Sequence, residues 1–216
     1  MKLKRAIADL VERLMTRDIA AVKCLQHDAK QGQAHAQSAL GDMYTKGTLV
    51  PKNDAKAAQW YRRAAEQGDA HAQLNLGASY AAGRGVPQDD ADAVKWYRLA
   101  ADQGDALAQF YLGGMYSSGR GVPQNCVLAL MWLDVSSARG IQSAAIHRDQ
   151  LTRSMDPAQI AVARDLAREW RTAKQWLAEA MAAGAPSHPL QPANQPSGLE
   201  PARPRSRTSK RVTASS

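Results

Sequence analysis

One run of residues, GRGVPQDDADAVKWYRLAADQGDA at 83–106, has copies that open at Gly47, Gly83 and Gly119, so the chain repeats itself every 36 residues. That period holds two short helices and the turns that join them. One such helix pair cannot bury both of its faces, so the core has to come from stacking pairs side by side. The composition agrees: 44% of the 216 residues are hydrophobic, Ala supplies much of that share, and there is one Phe. Such a mixture suits small helices in close contact rather than a thick sheet core. The expected fold is all-α, a stack of antiparallel helix pairs.

Three clear repeats occupy 31–66, 67–102 and 103–138. Each opens with a helix, at 34–46, 70–82 and 106–118, marked by Leu40-Gly41 and Tyr44, Leu76-Gly77 and Tyr80, Leu112-Gly113 and Tyr116. Gly inside a helix costs about 0.5–1 kcal/mol against Ala, so its return at one position implies close helix approach. The Tyr one turn on is expected to fill the slot that the Gly leaves. Gly47, Gly83 and Gly119 then stop the helix. Val50-Pro51, Val86-Pro87 and Val122-Pro123 carry the chain across in extended form, and Asn53, Asp89 and Asn125 cap the second helix. Leu49 stands where the later repeats have Gly85 and Gly121, so its loop is expected to take another backbone path. The second helices, 54–66, 90–102 and 126–138, carry Trp60, Trp96 and Trp132 beside small residues, as knobs entering gaps.

The flanks are worn copies. Residues 1–30 read as a degenerate capping pair: an amphipathic helix over 3–15, then a helix from Asp18 whose Cys24 aligns with the three Trp residues. Asp9, Glu12 and Arg13 interrupt any signal-like apolar segment, so this end reads as mature protein. Residues 141–184 read as a degenerate repeat and a long capping helix, 157–182, introduced by Asp156-Pro157. Residues 185–216 are rich in Pro, Ser, Ala and Gln and read as a disordered tail. That tail carries +4 of the chain's formal +8, through Arg203, Arg205, Arg207, Lys210 and Arg211 against Glu200. No stretch of about 18 apolar residues occurs, so a membrane-spanning helix is not expected. Cys24 and Cys126 follow no metal-ligand spacing and read as two reduced, buried thiols.

The run A-x-A-Q-x-x-LG-x-x-Y-x-x-G-x-GVPQ-(N/D)-x-x-x-A-x-x-WY-x-x-AA-x-x-G over 31–140 resembles the Sel-one-like repeat, a relative of the tetratricopeptide repeat. The resemblance implies a right-handed α-solenoid whose first helices line a concave groove. It also implies an adaptor in bacterial signalling, cell-envelope or stress pathways. The chain is expected to be cytoplasmic, although the resemblance leaves a periplasmic or secreted site open. A cysteine-rich branch of the family is linked to β-lactam binding or hydrolysis and pairs cysteines across each repeat; no repeat here holds such a pair, so that carry-over fails.

Positions of the first helices outside the Ala, Leu-Gly and Tyr frame are the candidates for a partner-binding groove. They are His35, Ser38, Asp42 and Lys46, then His71, Leu74 and Ala78, then Leu107, Phe110 and Gly114. Leu74, Leu107 and Phe110 would be apolar anchors for a bound segment; Leu74 and Phe110 fit a place in the stack equally well. Gly41, Tyr44, Trp60, Gly77, Tyr80, Trp96, Gly113, Tyr116 and Trp132 form the structural frame. His35 and His71 recur in one place, but Asp42 is the one further ligand nearby, so no metal site and no cofactor are expected. The GRG loops lack the Lys of a phosphate-cradling loop, and no nucleophile elbow or metal-binding His pair is present. A non-catalytic adaptor for a protein or peptide is the leading expectation. The alternative is association with nucleic acid or an anionic surface through the basic tail, though no aromatic interleaves its arginines for base stacking.

Overall fold

Capping residues set the helix starts. In the computed structural model, which describes residues 19–182, the side chains of Asn53, Asp89 and Asn125 accept from the amides of Lys56, Asp92 and Leu128 at 2.9, 2.9 and 3.0 Å. Asp69 and Asp105 do the same for Ala72 and Ala108 at 2.7 and 2.8 Å. Each bond satisfies an amide that the first helical turn leaves open. The resulting order is α1 (19–30), α2 (Ala34–Lys46), α3 (Asp54–Glu66), α4 (Ala70–Ala82), α5 (Asp90–Asp102), α6 (Ala106–Ser118), α7 (Cys126–Ser137), α8 (Gln142–Thr152) and α9 (Pro157–Ala182). No strand occurs among the described residues, and no helix of theirs is long and apolar enough to cross a membrane. The amphipathic segment 3–15, Asp18 and the tail 185–216 with its five cations lie outside the described residues.

Residues up to Gln175 form one unit and those from Trp176 a second, of which 176–182 continue α9 with Trp176 and Leu177 exposed. In the first unit, α2 packs on α3, α4 on α5 and α6 on α7, and each pair packs on the next, which makes an all-α solenoid. Its core is built of buried Ala and one Leu per first helix: Leu40, Leu76 and Leu112 are each 0% exposed. At the C-terminal end Leu130, Met155 and Ala163 close the stack, and Trp170 meets Trp132 edge-on at 5.6 Å.

The helical glycines do make slots, but another residue fills them. A Cβ on Gly41 would lie 2.4 Å from the Tyr61 ring, one on Gly77 2.8 Å from the Tyr97 ring, and one on Gly113 2.9 Å from Leu133. The filler is therefore the second member of the Trp-Tyr pair, carried in from the partner helix, and not Tyr44, Tyr80 or Tyr116. Those three act at the joints: their carbonyls accept from Asn53, Asp89 and Asn125 at 2.9, 3.1 and 2.9 Å, tying each loop back to its first helix. Trp60 and Trp96 are half-buried and pack at the edges of the core.

The first loop also departs from expectation. Leu49 takes φ 61°, beside 73° and 70° at Gly85 and Gly121, so the three loops share one left-handed residue. The later two lie hard on the preceding repeat, where an added Cβ would come 2.1 Å from the Asp54 and Asp90 carbonyl oxygens. Leu49 is 56% exposed. Cys24 also differs from its expected burial: it stands exposed on α1, at the end of the described stack, while Cys126 is half-buried; both are free.

Repeats are also joined by glutamines. Gln37, Gln73 and Gln109 donate to the carbonyls of Ala29, Ala65 and Ala101, at 3.0, 3.1 and 3.2 Å, which closes the end of the preceding second helix. Gln67 and Gln103 then donate to the side-chain oxygens of Gln37 and Gln73 at 2.7 and 2.8 Å.

Candidate functional site

The first helices α2, α4, α6 and α8 present one side to solvent. On α2 that side is the stripe His35, Ala39, Asp42 and Lys46; on α4 it is His71, Asn75, Ala78 and Ala82; on α6 it is Leu107, Tyr111, Gly114 and Ser118. All twelve are exposed or half-buried, at the three- and four-residue steps of a single helical face. Two of the sequence candidates do not belong to it. Ser38 is 3% exposed, and Leu74, at 7%, sits in the main core cluster. Their position lies about 100° around the helix from the stripe, so it points into the stack. Phe110 occupies the same position but is half-buried, and its ring reaches the surface.

At the α2 end the face is polar and closed on itself. The Tyr61 hydroxyl donates to Asp42 Oδ1 at 2.7 Å, and His71 Nε2 lies 3.1 and 3.2 Å from the two oxygens of the same carboxylate. Asn75 Nδ2 donates to the His71 carbonyl at 2.9 Å, and Thr45 Oγ1 lies 3.2 Å from the Tyr61 hydroxyl. Burial, reinforced by the Asp42 carboxylate against the pull of the Thr45 hydroxyl and Arg84, pushes the Tyr61 phenol far up, so it stays a neutral donor. His35 and Lys46 stand exposed at the margins. Among the described residues no group of three His, Cys, Asp or Glu side chains is placed to hold a metal ion.

At the α6 end the face opens into a pocket of about 390 Å³ that spans α4, α6 and α8. Its floor is Ala78, Ala81 and Gly114, and its wall is an aromatic ladder. Tyr97 stacks on Tyr111 with ring centroids 5.2 Å apart, Tyr111 meets Phe110 at 5.4 Å, and Phe110 stacks on His147 at 5.3 Å. Two arginines from the loops stand at the rim. Arg120 is held by Asp90, with Nη2 2.6 Å and Nε 3.1 Å from the two carboxylate oxygens. Arg84 holds the same place one repeat earlier, yet among the described residues no carboxylate comes within ion-pair distance of it. Burial, with Tyr111 adding to it and Arg84 and Arg120 opposing, pushes the Tyr97 phenol far up, so this too is a neutral donor.

The candidates read from the sequence include Ala78, Phe110 and Gly114 of this pocket and leave out Tyr97, Tyr111, His147 and the two arginines. A signal for Tyr111 and His147 exists in the repeat: they are the third and fourth members of the series Ala39, Asn75, Tyr111, His147, spaced by 36. A second recess, of about 460 Å³ between α7, α8 and α9, gathers Arg148, Arg164, Arg168 and Arg171 around Asp134. Burial raises the Asp134 carboxyl against the pull of Arg148, Arg164 and Arg171. There Arg148 is engaged by Asp134 and Asp149, and Arg168 by Asp165, which leaves the aromatic pocket as the better candidate.

The Sel1 repeat family model matches residues 34–69, 70–105 and 106–140. A Sel1 repeat protein from Oxalobacter formigenes of solved structure is 38% identical, with 60% of this chain and 98% of that one aligned at a TM-score of 0.56. The solved structure of c5321, a protective antigen present in uropathogenic Escherichia coli strains that displays an SLR fold, is 26% identical at a TM-score of 0.55. That match takes in 82% of this chain but 46% of the antigen, so the chain spans less than half of its length. No curated protein matches the chain. On its repeats and on that level of identity, the chain belongs to the Sel1 repeat family, whose members generally serve as non-catalytic scaffolds for protein–protein interaction.

Proposed function

We propose that the chain is an adaptor that holds a segment of a partner protein across α4, α6 and α8, with the aromatic pocket as its anchor point. The observation that carries this reading is the pocket itself: a recess of about 390 Å³ walled by Tyr97, Tyr111, Phe110 and His147 beside an arginine without an acid. Rigid aromatic walls give much contact area with little ordering cost, which is why such residues dominate binding hot spots. An extended segment would lay one apolar side chain against the ladder and leave its polar groups at the rim.

Gly114 provides the test. A Cβ there meets nothing within 4 Å, and the residue lies in the helix and in the pocket floor. Gly114→Leu therefore fills the pocket without straining the fold, and replacing a helical Gly raises stability by up to about 0.8 kcal/mol. Peptides selected from a random display library on the full chain are expected to lose binding to Gly114→Leu, as measured by calorimetry, while its melting temperature holds or rises. Retention of wild-type affinity by that variant overturns the groove reading.

A further inference from the structure

We infer that the group recognised at the rim of this pocket is a carboxylate of the partner segment, bound between the Tyr97 hydroxyl and the Arg84 guanidinium; the inference rests on the groove reading above. The repeat displays the interaction within itself. Tyr61 and Tyr97 are the same residue of successive repeats, both buried and both wedged against a helical Gly. In the first repeat the Tyr61 hydroxyl donates to the carboxylate of Asp42 at 2.7 Å. One repeat on, the place of Asp42 is taken by Ala78, a lining residue of the pocket. Among the described residues no protein group accepts from the Tyr97 hydroxyl.

A second counter-charge is missing on the side of the pocket one repeat back. Arg120 grips Asp90 with two bonds, whereas Arg84 is free of Asp54, which instead lies 3.9 Å from Lys52. A neutral phenol donor and an unpaired guanidinium thus line one recess, where a carboxylate would meet both. Arg84 supplies a planar fork matched to two oxygens, and the phenol supplies the bond that Tyr61 already makes to a carboxylate. Hydrogen bonds to charged groups of this kind are each worth one to two decades of affinity. A cationic or purely apolar segment would leave both donors unanswered. The partner segment is therefore acidic at this position, with an apolar or aromatic side chain beside the acid for the ladder.

The experiment uses the library-selected peptides, each made also with its Asp, Glu or terminal carboxylate converted to the amide. Titration of the full chain should show at least about a tenfold loss on that conversion, and an equal loss on Arg84→Gln for the acid form only. Ala78→Asp is the decisive variant. It places the repeat's own carboxylate under Tyr97, as Asp42 stands under Tyr61, and is expected to expel the acid peptide without lowering the melting temperature. Peptides that bind wild type and are lost with Gly114→Leu, yet are indifferent to amide conversion and to Ala78→Asp, overturn the carboxylate and leave the groove reading standing. Peptides indifferent to Gly114→Leu, or a library that yields no binder, overturn both.

Discussion

The two ends of the first-helix face are cut from one repeat and behave as opposites. At α2 the Asp42 carboxylate is shared by Tyr61 and His71, which answer it from within the scaffold, and His35 and Lys46 stand at the margins. At α6 the same ring position carries Tyr97, but Ala78 and Gly114 stand where Asp42 stood, and the space they vacate is the pocket. The frame is constant, so the difference comes from a few stripe positions that drift from Asp to Ala to Gly. A repeat protein can thus make a site by removing a side chain that satisfied the scaffold. On the proposed reading, the unsatisfied groups are the recognition elements.

The largest effect expected tests where the face ends and the core begins. Leu74 is 7% exposed inside the main cluster, and Leu107 is 44% exposed on the stripe. Leu74→Asp buries an unpaired carboxylate and should cost about 4 kcal/mol or more. Leu107→Asp should stay within about 0.5 kcal/mol of wild type. Urea titrations of the two variants separate them. Similar midpoints would mean that the helical face has been assigned with the wrong rotation, and with it both ends of the groove.

A smaller change turns one end toward the other. Asp42→Ala gives the first repeat the residue that the second has at Ala78. The buried Tyr61 phenol then keeps only Thr45, and His71 loses its acid. The expected cost is about 1–2 kcal/mol, since the bond lost is to a charged acceptor but sits partly in water. Binding at the aromatic pocket should be unchanged. A fall in peptide affinity on Asp42→Ala would show that the two ends are one site and would end the contrast drawn between them.

Much of this was legible in the chain, and the misses have physical causes. The helices, their caps and the stacked architecture follow from the 36-residue period because caps and glycine stops act locally. The filler of the glycine slot was misread as Tyr44, a neighbour on the same helix, when Tyr61 arrives from the partner helix. Local spacing says nothing about which distant ring enters a gap. Ser38 and Leu74 enter the groove candidates because they lie outside the repeated frame, although positions outside the frame also occur in a core that tolerates Ser, Leu or Phe. Position 39 and its successors at 75, 111 and 147 complete the three- and four-residue stripe, which the period alone would have supplied. Arg84 and Arg120 look identical in sequence, and only the contacts show that one is engaged and the other is not. Leu49 is expected to redirect its loop, yet it takes the left-handed φ of 61° that Gly85 and Gly121 take, at 73° and 70°, in the later loops.

The same logic of a lost partner appears inside the stack, where it weakens the fold without making a site. Gln67 and Gln103 satisfy the side-chain oxygens of Gln37 and Gln73, and Gln103 also donates to the Gly68 carbonyl at 3.0 Å. The third member of the series is Arg139, which bonds the Gly104 carbonyl at 2.8 Å and leaves the buried Gln109 Oε1 without a partner. A buried acceptor left open costs about 1–3 kcal/mol. Arg139→Gln restores the two-bond arrangement that Gln103 makes, at the loss of one exposed charged bond. A net gain of about 1 kcal/mol is expected, which in a unit of this size raises the melting temperature by roughly 2–4 °C. Arg139→Ala removes the arginine without supplying the donor and serves as the control, expected to be no more stable than wild type. Should the two variants melt together, Gln109 is not the weak joint, and the difference between a lost partner that makes a site and one that costs stability has to be sought elsewhere.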